Sequence, residues 1–179
     1  MKQYFLIIIS LVSVLNAKAQ NDFTVEKQLF KINALTPGIV YEYGIDKKNT
    51  LYSEFRMGFG YQKDFLLGKG WSFFPSIEEE FRHYYNIESR GLKGKVISGN
   101  SGAYMGVIAN YGFKSLTTNE NFGYDNPSLL IGSVWGFQRT YKHNFNVNLN
   151  VGLGHFFIKN TSINGMTGIL NLSLGWKIK

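Results

Sequence analysis

The 179-residue chain contains no cysteine. That excludes a disulfide-stapled scaffold, and a structural zinc site of the usual cysteine-bearing kind. No apolar run approaches the ~20 residues that a membrane-spanning helix needs. The longest, Phe5–Leu15, is already interrupted by Ser10 and Ser13. An apolar stripe with the 3.6-residue period of an amphipathic helix is also missing beyond two turns. Charged residues make up 17 % of the chain, barely more than the 16 % that are aromatic. With 15 Phe and 11 Tyr the chain is no disordered basic tail, despite its net charge of +7.

What is present begins with an address. Lys2 supplies a positive start, Phe5–Leu15 an apolar segment, and Ala17-Lys18-Ala19 a small-residue cleavage site before Gln20. The pattern is that of a secretory signal peptide over residues 1–19. Its removal takes Lys2 and Lys18 and leaves residues 20–179 as one domain with a charge of +5.

Beyond residue 20 the apolar period is two. From Phe145 to Gly154 every odd position is apolar and every even one is Asn or Gly. Leu170, Leu172, Leu174, Trp176 and Ile178 oppose Asn171, Ser173, Gly175, Lys177 and Lys179 in the same way, and Leu51–Gln62 alternates likewise. This periodicity predicts eight strands, over about Gln28–Leu35, Ile39–Ile45, Leu51–Gln62, Trp71–Tyr85, Ser101–Phe113, Leu129–Tyr141, Phe145–Ile158 and Thr167–Ile178. Connections short enough for antiparallel neighbours separate them, with longer loops at Ile87–Asn100 and Lys114–Pro127. An open sheet would leave two unpaired edges, so closure is expected. The fold class read from the sequence is all-β, an eight-stranded antiparallel transmembrane β-barrel in an up-and-down meander.

Side-chain size decides which face is inside. Gly44, Gly58, Gly60, Gly102, Gly106, Gly112, Gly132, Gly136, Gly152, Gly154 and Gly175 all fall on the polar face, and Gly168 alone falls on the apolar face within a strand. The interior of a small barrel is just wide enough for side chains, so glycine belongs there. The apolar face, rich in Phe, Tyr and Trp near the strand ends, then points outward, as aromatic girdles do at the two lipid–water boundaries.

On the inward register sit Glu42, Glu54, Arg56, Glu78, Glu80, Arg82 and Lys177. Isolated charges are costly in so narrow a space. The expectation is an ion-paired plug, with Arg56 and Arg82 among the four glutamates. Tyr52, Tyr84, Tyr104, Asn110, Gln138, Asn146, Asn148 and Asn150 would satisfy the remaining lone pairs. His83 and His155 face outward and His143 lies in a turn, and no serine is two residues from His83 or His155 on the same face. No spacing suits a metal, so no catalytic, cofactor-binding or metal-binding residue is read from the sequence. Arg90, Lys93 and Lys95, within Glu88–Lys95, are expected in a solvated loop; the alternative is contact with lipid phosphates or peptidoglycan.

Pro75-x-Ile77-Glu78-x-Glu80-x-Arg82-x-Tyr84-Tyr85-Asn86, then Arg90-x-x-Lys93-Gly94-Lys95, then Asn100-Ser101-Gly102-x-Tyr104, resembles small outer-membrane β-barrel proteins of unknown function common in Bacteroidetes. The architecture is similar to OmpA/OmpX-type eight-stranded barrels. The resemblance implies an outer-membrane location and insertion by the barrel-assembly machinery, and it implies no catalytic residues. Two features depart from the pattern: Glu79 faces outward in mid-strand, and the chain ends Trp176-Lys177-Ile178-Lys179 without a terminal aromatic.

The sequence therefore leads us to expect a monomeric, cofactor-free integral outer-membrane barrel. Its role would be structural or surface-interacting and not catalytic, with outer-membrane lipids and the assembly machinery as partners and no nucleic acid. The competing expectations are a lipid-modifying barrel enzyme and a soluble periplasmic lipocalin-like carrier.

Overall fold

The computed structural model describes residues 23–65, 68–117 and 126–178. The expected signal peptide, residues 1–19, lies outside them. Nine strands are described: β1 (Gln28–Asn33), β2 (Gly38–Gly44), β3 (Asn49–Asp64), β4 (Gly68–His83), β5 (Ala103–Gly112), β6 (Leu116–Thr117), β7 (Ser128–Thr140), β8 (Phe145–Ile158) and β9 (Asn164–Lys177). A six-residue helix, α1 (Ile87–Leu92), follows β4, and a 3-10 turn (Lys142–Asn144) joins β7 to β8.

All strand pairs are antiparallel, and the sheet closes on itself. Each of β1, β2, β3, β4, β5, β7, β8 and β9 pairs with the one before and the one after, and β9 returns to β1. The all-β expectation and the eight-strand count are therefore met as a closed ring of eight antiparallel strands. The two-stranded pairing of β6 with β4 is an addition to it.

Each expected strand has its counterpart, and the differences follow from pairing. The β3–β4 hairpin runs from Asn49↔His83 to Asp64↔Gly68, past both expected ends of β3 and the expected start of β4 but short of Tyr85, because over that length each strand offers the other an uninterrupted edge. Strand β9 starts at Asn164 because Phe157 of β8 is there to receive it. Pro75 is tolerated inside β4 because it falls where the partner changes, between Ser76↔Gly112 of β5 and Phe73↔Leu116 of β6. A missing N–H costs no ladder bond at such a gap.

The 87–100 connection carries a short helix where a loop was expected, while Lys93 and Lys95 are exposed, as the expected solvated segment requires. Ile87 and Gly91 of α1 are buried, and a side chain at position 91 would collide with the Phe23 ring. Six residues are too few to display a helical period, so pattern reading could not detect α1.

Burial alternates strictly along β1, which reads exposed, buried, exposed, buried, exposed, buried. The buried positions point into the ring. They include an apolar group of Ile108, Val134 and Ile169, continuous with Tyr104, Tyr84, Ile87 and Val25. The interior is thus part apolar, more mixed than the polar lumen expected from parity.

The glycine argument for which face is inside has direct counterparts. A Cβ at Gly136 would lie 2.7 Å from Cζ of Tyr104, and one at Gly106 would lie 2.6 Å from Oε1 of Glu80. At Gly168, on the outer face, a Cβ would meet nothing within 4 Å.

Candidate functional site

The inward faces of β1 to β4 bring charged side chains together in the interior, and β7 adds the amide of Gln138. Lys31, Glu42, Glu54, Glu78, Glu80 and Arg82 are each at most 3 % exposed. They form two groups.

The first centres on Glu42 and Arg82. Oε1 of Glu42 accepts from the Thr50 hydroxyl at 2.9 Å and the Tyr84 hydroxyl at 2.8 Å. Its Oε2 accepts from Nζ of Lys31 at 3.4 Å and from Nε2 of Gln138 at 3.2 Å. All four lone-pair sites of this buried carboxylate are therefore used. Oε1 of Gln138 in turn accepts from Lys31 at 2.6 Å and from Nη1 of Arg82 at 3.2 Å. Gln138 thus links two cations to the carboxylate. Arg82 donates from Nε (2.9 Å) and Nη2 (2.7 Å) to a single oxygen of Glu80, Oε2. Its guanidinium carbon lies 3.5 Å from the ring centroid of Tyr52 and 4.5 Å from that of Tyr104, sandwiched between two aromatic faces. The other oxygen, Oε1 of Glu80, has no hydrogen-bond partner among the described residues.

The second group lies further along β3 and β4. Arg56 donates Nη2 to Oε2 of Glu78 and lies 3.9 Å from Oε2 of Glu54. Glu54 also accepts from Asn33 at 2.7 Å and from the Tyr52 hydroxyl at 2.8 Å, and Glu78 accepts from Asn110 at 3.1 Å. Arg56 is the most exposed of these side chains, at 17 %.

Six of the seven charged residues expected in the interior therefore meet there, and Lys177 does not join them. It sits at the last position of β9 and donates to both oxygens of Glu26, each at 2.7 Å. Glu26 precedes β1, outside every expected strand. Lys31 is the residue that sequence reading missed. Its signal was the Phe30 and Ile32 alternation around Leu29, Lys31 and Asn33, too short to carry weight before the ring was closed. Among the tyrosines and amides expected to assist, Tyr104 donates to Oδ1 of Asn148 at 2.9 Å and Asn146 to the Thr140 hydroxyl at 2.8 Å.

One end of the ring is closed by the segments around α1. Asn86 Oδ1 accepts the Ala103 amide at 2.8 Å, Asn100 Oδ1 accepts the Glu26 amide at 2.7 Å, and Ser101 Oγ accepts the Thr140 amide at 2.8 Å. The Gly99 carbonyl takes the Gln138 side-chain amide at 2.6 Å, which ties this cap to the charge network. Gly99 and Asn100 both have positive φ, 62° and 54°, and a side chain at 99 would strike the Thr140 hydroxyl. Glycine is required at 99 on both counts. The residues of the 75–104 motif thus build one unit, the charged strand β4 and the cap that covers it. At the opposite end lies a cavity of about 670 Å³, lined by Phe74, Ser76, Asn110, Gly112, Phe156 and Ile158 among others.

Outside the ring, His83 Nδ1 meets Asn49 Oδ1 at 2.7 Å, and His155 Nε2 meets Asn164 Oδ1 at 3.2 Å. Among the described residues no serine hydroxyl bonds either imidazole, and no cluster of three potential metal ligands occurs.

Glu79 points outward, as its parity requires, and accepts the Ser53 hydroxyl at 2.6 Å. The outer surface otherwise carries large apolar side chains more than a third exposed. Phe81, Tyr85, Trp135 and Trp176 lie toward the capped end, and Phe59, Tyr61, Trp71, Phe73 and Tyr111 toward the other. Between them lie Ile39, Phe55, Ile77, Val107, Ile131, Val151 and Leu170. No helix among the described residues is long and apolar enough to cross a membrane.

Comparison with known protein families, curated proteins and solved structures returns no match for this chain.

Proposed function

We propose that this protein is an integral outer-membrane β-barrel with a packed interior, acting as a structural or surface-interacting component of the envelope and not as a catalyst. One observation carries the reading: the ring is inverted with respect to a water-soluble protein. Its outside presents an apolar band, interrupted at Glu79 and edged by aromatic side chains at both ends, while Glu42, Glu54, Glu78, Glu80, Arg56 and Arg82 are inside. A soluble monomer rarely exposes a contiguous apolar patch beyond a few hundred Å². In lipid the same band is favourable, and a closed ring leaves no backbone edge unpaired. The charge network supports a structural role for the interior, because its members are bonded to one another and the aromatic faces of Tyr52 and Tyr104 cover Arg82.

The test is fractionation followed by gel migration with and without boiling. A membrane-bound protein whose unboiled form migrates differently from its boiled form is expected. Recovery wholly in the soluble periplasmic fraction overturns the reading in favour of a soluble carrier.

A further inference from the structure

At the end of the ring opposite the cap, strand register builds a wall of small and aromatic side chains. Ser76 of β4 pairs with Gly112 of β5, Gly112 with Ser128 of β7, and Ser128 with Ile158 of β8. The next inward row, on the capped side, is Glu78, Asn110, Leu130 and Phe156. Even positions face inward on all four strands, so both rows look into the ring. Among the described residues Phe74, Ser76, Asn110, Ser128, Phe156 and Ile158 line the cavity of about 670 Å³ there. That volume lies within the ~300–1,000 Å³ of small-molecule sites, which have apolar and aromatic walls and a few polar groups.

The glycines of this half do not relieve crowding as those beside Tyr104 and Glu80 do. A Cβ at Gly58 would lie 3.5 Å from Phe74, one at Gly60 3.6 Å from the Phe74 ring, and one at Gly165 3.5 Å from the Phe156 ring. These are ordinary contact distances. At Gly112, in the cavity wall, the near atom is the Ser128 hydroxyl, the end of a small side chain. The fold therefore leaves empty here a space that larger side chains could occupy.

The charges next to this space are already engaged. Arg56 donates to Glu78 and, from Nε at 3.4 Å, to the Ser76 hydroxyl, and it lies 3.9 Å from Glu54. Asn110 donates to Glu78 at 3.1 Å. An anionic head would meet a guanidinium held between two carboxylates, and a cationic head would meet carboxylates that already hold Arg56. Burying a charge without a partner is costly. What the cavity offers is neutral: the hydroxyls of Ser76 and Ser128, and the carbonyl and second N–H of the Asn110 amide. We propose that this cavity binds a small neutral amphiphile, an aliphatic chain ending in a hydroxyl. The chain packs among Phe74, Phe156 and Ile158, and the hydroxyl bonds the Asn110 amide with Ser76 and Ser128 beside it. The site goes beyond the membrane reading and does not rest on it.

The experiment titrates isotope-labelled protein in phosphatidylcholine nanodiscs with octanol, octanoate and octylammonium at neutral pH, and reads the backbone amide shifts. Equal chain length holds the apolar contribution constant, so only the head differs. Octanol is expected to shift the amides of Asn110, Gly112 and Ser128 saturably, and octanoate and octylammonium should each bind about tenfold more weakly or worse. Ser128→Phe fills the cavity and should abolish the saturable shifts. If its spectrum is that of an unfolded chain, Ser128→Leu takes its place. Gly168→Ala, on the outer face, should bind as wild type does. Octanol shifts confined to lipid-facing amides overturn the site, and so does a filled variant that binds octanol like wild type. Octanoate or octylammonium binding as tightly as octanol overturns the neutral head. A protein recovered in the soluble fraction is titrated without nanodiscs, and the same outcomes decide, so loss of the membrane reading is told apart from loss of the site.

Discussion

At Gly136 the space for a single methyl group separates a tolerated interior from an overfilled one. The nearest neighbours of an added Cβ are the Tyr104 ring and the Leu149 carbonyl at 2.8 Å, and the carbonyl belongs to a paired strand that cannot retreat. Gly136→Ala should lower stability by about 1–3 kcal/mol, the usual range for overpacking. Gly168→Ala, which meets open space, should change it by less than about 0.5 kcal/mol. Urea unfolding of both variants checks this, and equal effects would mean that the face assignment is wrong. Arg82 poses the complementary question. Arg82→Met leaves the Glu80 carboxylate buried without its cation, a loss of about 3–5 kcal/mol for a broken buried pair. The double change Glu80→Leu/Arg82→Met removes both charges and should recover most of that loss. If the double variant is as unstable as the single one, the aromatic sandwich around Arg82 matters more than its ion pair.

Among the elements of the eight-stranded ring, the seam between β1 and β9 is the shortest. Only Lys31↔Lys177, Ile32↔Trp176 and Asn33↔Gly175 are in register there, flanked by the Ala34 amide to the Leu174 carbonyl and the Ile178 amide to the Phe30 carbonyl, each 2.8 Å. The β3–β4 hairpin, by contrast, runs in register over the whole of both strands. Local opening should therefore begin at the seam. In hydrogen exchange the amides of β1 and of the end of β9 should exchange before those of β3 and β4, and the reverse order would count against the closed ring. The β2–β3 turn has its own pH dependence. The Lys48 amide above all, and Asn49 through side chain and amide, hold the exposed Asp46 carboxyl below its ordinary value of 3.8. A lowered value means that the ionised form belongs to the folded turn. The contribution is complete above the ordinary aspartate range and is lost as pH falls through the lowered value. Amide exchange at Lys48 and Asn49 should stay slow from neutral pH to pH 5, relative to the intrinsic rate, and lose its protection only below the ordinary value. Asp46→Asn should be insensitive over that range.

For the molecule as a whole, the consequence of the cap and the charge network is a closed interior. Arg82, Tyr84, Tyr104, Gln138 and Asn100 are all 0 % exposed, and they lie where the ring would otherwise open at the α1 end. Reconstituted in a planar bilayer, the protein should show no steady conductance. A steady current in wild type that Arg82→Ala alters would instead make the interior a gated pore. The same closure explains where the net charge resides. The interior glutamates are matched almost one for one by Lys31, Arg56 and Arg82, so the excess is displaced to the rims and chiefly to the capped one.

Strand periodicity, the side of the sheet that carries charge, and the glycines that let that side turn inward all follow from the order of residues. Each depends only on alternation along one strand, a local property with a period of two. The chain also carries in its order the members of the network on β2, β3 and β4, because long alternating strands fix parity well. Which cation meets which carboxylate is different. Gln138 reaches Glu42 across 96 positions of sequence and Lys177 reaches Glu26 across 151. Such contacts exist only once β9 has paired with β1 and the register around the ring is set. Lys31 entered the interior, Lys177 left the network for Glu26, and residues 86–102 became a cap for the same reason. Closure brings distant strands and connections to one point, and no pattern within a single segment encodes that meeting.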